Sequence, residues 1–379
     1  MKKNISILTL LLISILAIGQ DRNLNSYSIF TQSGWVLPTN NYVRGENNLY
    51  TPISQIYSLS IRYERQTDGS QPWHQLYDYP SYGLGIYIAD FNLRNQLGTP
   101  IALYGFFSSY VIEKPKWSLK TEVSAGLTFN WQHFSPETPL NDAMGGAMSC
   151  YIDAGMSAYR LIGKKLEIGA GLYFTHFSNG AMKKPNKGIN AFAPKFILKY
   201  KPYGNVEYKT SHLPNFESKI EDLTSIFIGS HNVLTILPRN QVDKQYNSHS
   251  YIVLGLDKRY LKTLTPKHSL GIGVGLGYNQ YVGTTYYVED RQMVIRKANL
   301  MEKFNLSVYL SYEYKIHKLN VFIEPCYYVY KSIYDNSKSF FQRIGLRYQI
   351  TKDWFCSIGL RAENFSVAQY IEWGIGLRM

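Results

Sequence analysis

A single stretch of this 379-residue sequence, residues 172–190, gathers residue types that can cleave an ester. On an extended strand His176 and Ser178 point the same way, roughly 6.6 Å apart along the backbone. Leaning rotamers can bring imidazole and hydroxyl into a hydrogen bond, the nucleophile–base pair of a serine hydrolase. Asn190 falls near the start of the next strand, across a hairpin, from where it could reach the far nitrogen of the imidazole.

The positioning elements follow from parity. Leu166, Ile168, Ala170, Leu172 and Phe174 share the face of His176 and Ser178, while Glu167, Gly169, Gly171, Tyr173 and Thr175 take the other. On the following strand Asn190 is in phase with Phe192, Phe196, Leu198 and Tyr200. If the apolar face meets lipid, all three polar groups sit on the bilayer side at one rim. Polar groups there are costly and mark function by default. Such a placement suits an enzyme acting on a lipid and suits a channel poorly.

The rest of the chain repeats this pattern. Trp117, Leu119, Thr121, Val123, Ala125, Leu127, Phe129 and Trp131 oppose Lys120, Glu122, Ser124, Thr128, Asn130 and Gln132; the segments from Phe304 and up to Met379 alternate likewise. Tyr (33) and Gly (29) are abundant, and charged residues make up only 18%, against about 25% in soluble domains. Segments of roughly ten residues, apolar on one side and ringed by aromatics, are the signature of a transmembrane β-barrel. The expected fold is all-β: an antiparallel outer-membrane barrel of about 14–16 strands, residues 20–379. Long connections near 132–146, 179–189, 237–248 and 282–301 alternate with tight ones near 162–163, 262–266, 316–317 and 351–352. The stretch from Lys201 to Ile220 is long where a short turn is expected, and parity offers no account of it.

The N-terminus reads as an export signal. Lys2 and Lys3 precede an apolar run from Ile5 to Ile18, and Ala17-Ile18-Gly19 is a small-x-small cleavage site. Residues 1–19 are therefore expected to be removed, taking the net charge from +13 to +11. That charge suits an anionic leaflet. Cys150, Cys326 and Cys356 lie far apart and read as unpaired thiols, with a single disulfide the alternative. The eight His residues have no metal-ligand spacing, so neither a metal nor another cofactor is expected. Arg343, Arg347, Arg361, Glu363, Glu372 and Arg378 face inward by parity and are expected to pair in the lumen.

His176-x-Ser178-Asn179, the glycine-containing stretch, and Pro185-Asn186-x-Gly188-Ile189 followed by a polar residue at 190 resemble the motif of the PagL-type lipid A 3-O-deacylases. These are small outer-membrane barrels that hydrolyse the ester-linked acyl chain at the 3-position of lipid A. The resemblance covers residues 20–202 and leaves 203–379 as additional strands. It implies His176 as general base and Ser178 as nucleophile, with Asn179 or Asn186, and backbone amides such as that of Gly180, as oxyanion candidates. Lys183, Lys184 and Lys187 could meet lipid A phosphates, or form a solvated loop tip. The implied partner is lipopolysaccharide in the outer leaflet, in the bacterial outer membrane; no nucleic acid is implied, and a homodimer is left open. The family carries Glu where this chain has Asn190. An Asn oxygen can accept the imidazole N–H, and Glu137 or Asp142 in the preceding loop could supply a carboxylate instead. The rival reading is a non-catalytic barrel, porin-like or envelope-binding, that keeps the hairpin for structure.

Overall fold

The computed structural model describes residues 24–213 and 215–379; the expected signal peptide lies outside the described residues. Eight strands form a first ring: β1 (Asn25–Leu37), β2 (Gln55–Gln66), β3 (Ser81–Asp90), β4 (Gly98–Glu113), β5 (Trp117–Trp131), β6 (Ser149–Ile162), β7 (Leu166–Ser178) and β8 (Ile189–Tyr200). A second ring contains β9 (Ile220–Ile236), β10 (Tyr246–Thr263), β11 (His268–Asn279), β14 (Phe304–Ile316), β15 (Leu319–Lys331), β16 (Phe340–Gln349), β17 (Trp354–Glu363) and β18 (Val367–Arg378). Between β11 and β14 a separate hairpin, β12 (Thr285–Glu289) and β13 (Gln292–Arg296), stands in the longest external loop.

The all-β antiparallel architecture and the sixteen wall strands agree with the sequence pattern, but they close as two barrels of eight rather than as one wall. β8 pairs back onto β1, from Tyr27↔Tyr200 to Leu37↔Asn190. β18 pairs onto β9, from Glu372↔Gly229 to Arg378↔Leu223. Residues 201–219, the unexplained long connection, are the link between the barrels. This link packs on the turn between β2 and β3, where Tyr208 stacks on Tyr79 at 4.1 Å and Lys209 N–H donates to the Asp68 carbonyl.

Alternation sets the two faces of each wall. Ile61, Leu103, Val123, Ile272 and Leu310 are among the outward, exposed apolar residues. Trp35, Tyr57, Tyr327 and Phe340 ring one edge, and Tyr27, Tyr82, Trp117, Tyr200 and Trp354 the other, as rings with one apolar and one wet side do at membrane interfaces. One expected lipid-facing residue turns inward. Asn130 has φ +68°, which breaks the alternation, and Trp131 is buried with its indole N–H on Thr128 Oγ1 at 2.7 Å.

Rings of eight strands are narrow enough for side chains to fill. In the first lumen Phe30, Tyr87, Tyr104, Tyr151, Tyr173 and Phe177 are fully buried. Below them Glu122 meets Arg62 at 2.7 Å and Lys195 at 3.4 Å, and Asp153 meets Lys195 at 2.7 Å. The second lumen combines buried rings, among them Tyr309, Phe322, Phe341 and Phe355, with a network of charges. Glu324 contacts Arg259, Arg343 and Arg347; Asp257 contacts Arg259 and Arg343; Glu313 contacts Arg347 and Arg378. Of the inward residues expected to pair, Arg343, Arg347 and Arg378 do so, and Glu372 lies 3.6 Å from Arg343. Arg361 instead bonds Gln369 and the Tyr328 hydroxyl, and Glu363 accepts the Lys338 backbone N–H near the external rim.

The barrels stand side by side with like ends together. At the external end Phe134 meets Tyr246 edge to face at 5.4 Å. At the other end Trp73 stacks on His317 at 5.4 Å, and Tyr77 meets Tyr314 at 5.8 Å. Two checks follow. A protease site inserted between residues 215 and 219 should, once cut, yield two fragments that both keep compact, heat-modifiable migration on gels; collapse of both would show a single cooperative wall. Glu324→Ala should lower the unfolding midpoint of the second barrel by an amount equivalent to about 3–5 kcal/mol, since it strands buried guanidinium charges; an unchanged denaturant midpoint would contradict the network.

Candidate active site

The fourteen-residue spacing between His176 and Asn190 has a simple origin. β7 and β8 form a hairpin in which these two residues are direct cross-strand partners, one step beyond Thr175↔Ala191. His176 Nδ1 lies 2.6 Å from Asn190 Oδ1. The Asn190 amide nitrogen donates to Thr39 Oγ1 at 3.3 Å, which turns the oxygen toward the imidazole. An amide oxygen only accepts, so Nδ1 carries the proton and Nε2 is left as the acceptor a general base needs.

Ser178 lies two residues on along the same outward face, and both it and His176 are half-buried rather than open to lipid. Among the described residues the two side chains share no hydrogen bond, and such bonds often tighten only in the substrate complex. Ser178 Oγ instead accepts from Gly180 N–H at 3.2 Å and from Asn186 Nδ2 at 3.3 Å. These donors flank the hydroxyl where charge would develop on a carbonyl oxygen under attack.

Asn179, the other oxyanion candidate, is spent on the loop. Its N–H donates to Asn186 Oδ1 at 2.9 Å and its side-chain amide to the Lys183 carbonyl at 2.8 Å. Two successive left-handed residues, Gly180 and Ala181, both with φ +61°, turn the chain there. For Ala181 this costs about 1–2 kcal/mol, strain of the kind held at functional turns. Gly188 lets the returning strand lie over the pair: a Cβ there would sit 3.3 Å from both His176 Cε1 and Ser178 Cβ.

The alternative acids are elsewhere. Asp142 pairs with Lys187 at 2.7 Å, and Glu137 is exposed and bonded to Ser135. Their loop supports the site differently: Lys187 N–H and Gly188 N–H donate to the Asp142 and Ala143 carbonyls. From the β1–β2 loop, Asn40 Nδ2 donates to the Gly188 carbonyl at 2.7 Å. Of the three loop lysines, Lys183 is exposed and Lys184 half-buried. Burial holds the Lys184 ammonium below the usual lysine range, with Glu363 acting in the opposite sense. Thr39 and Asn40 escape sequence reasoning because they come from a loop 151 and 148 residues from the partners they bond, with no spacing signal. Cys150, Cys326 and Cys356 are free thiols, in line with the sequence expectation.

Residues 57–196 match the family model described as lipid A 3-O-deacylase (PagL), and residues 224–379 match one described as acyloxyacyl hydrolase, C-terminal domain. The matches fall one on each barrel and together span most of the chain. The chain belongs to the PagL family. It is accordingly a bacterial outer-membrane protein and, at the level of the family, a hydrolase that modifies lipid A. Among solved structures, the outer membrane enzyme PagL is 13% identical with a TM-score of 0.28, covering 46% of this chain and 97% of that one. The translocator domain of the autotransporter NalP from Neisseria meningitidis is 10% identical with a TM-score of 0.21, covering 100% and 95%. Omp33 of Acinetobacter baumannii is 8% identical with a TM-score of 0.18, covering 94% and 99%. No curated protein matches the chain.

For this PagL-family chain the Asn190 oxygen should matter through a single charge-assisted bond. Asn190→Leu should lower hydrolysis roughly 10- to 100-fold, the worth of a hydrogen bond to a group that becomes charged. Asn190→Glu should raise it above the wild-type rate. Equal rates for all three proteins would remove Asn190 from the site.

Proposed function

We propose that this chain is an outer-membrane serine esterase that removes the acyl chain ester-linked at the 3-position of lipid A. The observation that carries the reading is the His176 Nδ1–Asn190 Oδ1 contact beside Ser178, on the lipid-facing side of β7 at its external end. A lipid of the outer leaflet reaches that face by lateral diffusion. Both lumens are filled by aromatic and paired charged side chains, which favours an enzyme over a pore.

In this reading His176 Nε2 takes the Ser178 proton as Oγ attacks the ester carbonyl. Gly180 N–H and Asn186 Nδ2 donate to the oxyanion. The carbonyl carbon–oxygen bond to the sugar then breaks, and the imidazolium returns the proton to the departing 3-oxygen. Water, deprotonated by the same imidazole, attacks the acyl-serine, frees the fatty acid and restores the hydroxyl. Asn190 fixes the tautomer but supplies no charge to the imidazolium, so a slower enzyme than one with a carboxylate is expected. In this reading Lys183, exposed at the loop tip, would meet an anionic sugar phosphate as a point charge.

Mass spectrometry of lipid A from cells expressing the protein tests this directly. The expected result is loss of one hydroxyacyl chain, abolished by Ser178→Ala and His176→Ala at a cost on the order of 10⁴-fold or more in rate. An unaltered lipid A profile with folded protein in the membrane would favour a non-catalytic barrel. Release of fatty acid from glycerophospholipid instead would move the substrate to another lipid class.

A further inference from the structure

The second barrel reaches the site from outside. Asn232 lies on β9 at the parity of Ile226 and Ile228, which face outward and are 57% and 53% exposed. Asn232 is on that lipid-facing side yet only 4% exposed, because the β7–β8 loop of the first barrel covers it. Its amide is oriented from its own barrel: Nδ2 donates to Ser248 Oγ at 3.1 Å, to the His249 carbonyl at 3.3 Å and to Ser250 Oγ at 3.1 Å. That leaves Oδ1 aimed across the seam, where it accepts the Lys184 backbone N–H at 2.8 Å.

A second contact meets the other arm of the loop. Ile371 on β18 has outward parity but is 7% exposed. A Cβ built on Gly180 would stand 2.8 Å from Ile371 Cδ1 and Cγ1, and 3.3 Å from Leu360 Cδ1. Gly180 therefore lies flush on the wall of the second barrel. These are the two segments that carry the donors to Ser178. Gly180 brings its N–H, and Asn186 follows Lys184 by two residues and is tied back through Asn179 to Lys183.

We infer that Asn232 and Ile371 of the second barrel are positioning residues that hold the β7–β8 loop so that Gly180 N–H and Asn186 Nδ2 converge on Ser178. The inference rests on the esterase reading and deepens it: the active site is a composite of two barrels, with the chemistry on one and the fixing of the oxyanion donors shared with the other. A polar side chain placed on a lipid-facing wall is otherwise unfavourable; here the first barrel's loop supplies its partner. Asn232 bonds the loop at Lys184 and Ile371 packs on it at Gly180, so each acts through the loop. Loss of positioning weakens stabilisation of the transition state and leaves ground-state binding of the acyl chain in place.

The test uses the full-length protein refolded in detergent, with purified lipopolysaccharide as substrate and released hydroxy fatty acid as readout. Asn232→Leu removes the acceptor, Asn232→Asp keeps an acceptor oxygen, and Ile371→Ala opens a gap beneath Gly180. Heat-modifiable migration confirms that each variant is closed. The expected result is about a tenfold fall in kcat for Asn232→Leu and Ile371→Ala, KM within twofold of wild type, and near wild-type kcat for Asn232→Asp. Wild-type kcat in both damaging variants, or a rise in KM with kcat unchanged, overturns the inference while Ser178→Ala still abolishes activity. Equal rates for wild type and Ser178→Ala overturn the esterase reading itself, and the inference with it.

Discussion

A backbone in hydrocarbon has no water to bond, so every strand edge that enters the membrane must be paired. That constraint orders the rest of this molecule. With sixteen wall strands among the described residues, one large closure or several small ones are available, and the chain takes two rings of eight. A small ring leaves no aqueous channel; its interior is a packed core of tyrosines and ion pairs. Chemistry directed at a lipid must then sit on the outside of the wall, and the polar constellation at the external end of β7 and β8 does so.

The same closure sets what the interiors cost. Charges such as Glu122 and Glu324 are almost wholly excluded from solvent, and each is matched by more than one cation. Buried ion pairs are weak evidence for added stability but strong evidence for register, because displacing one partner leaves a bare charge. In the second barrel, carboxylates on β10, β14 and β15 meet arginines on β10, β16 and β18. Long-range strand order is thereby written into side-chain charge as well as into backbone pairing.

Much of this was legible in the sequence. Period-two alternation gave the wall strands, their faces and the sides on which loops lie, because each is a local consequence of the pleat. His176, Ser178 and Asn190 could be placed on one face by parity, and their cross-strand relation follows from the hairpin. What parity does not encode is closure. Whether β8 continues to β9 or returns to β1 is decided by non-local pairing, and the long stretch 201–219, where the resemblance to small barrels also ends, was its trace. Local backbone exceptions escaped too: the positive φ at Asn130 turned Trp131 inward. The division of labour between Asn179 and Asn186 depends on hydrogen bonds inside one loop, and Thr39 and Asn232 are brought to that loop only by tertiary structure.

The link of residues 201–219 has a consequence for how strong the seam between the barrels must be. Two separate proteins would need an interface able to overcome the loss of free translation and rotation on meeting. A covalent link at the non-external end replaces that with an effective concentration in the millimolar range, and confinement to one membrane plane removes further orientations. A handful of contacts, among them Phe134 on Tyr246 and Trp73 on His317, can then keep the walls in register although no strand of one barrel pairs with a strand of the other among the described residues. Each contact across the seam therefore has to contribute little, because the tether and the membrane plane already hold the two walls at one place.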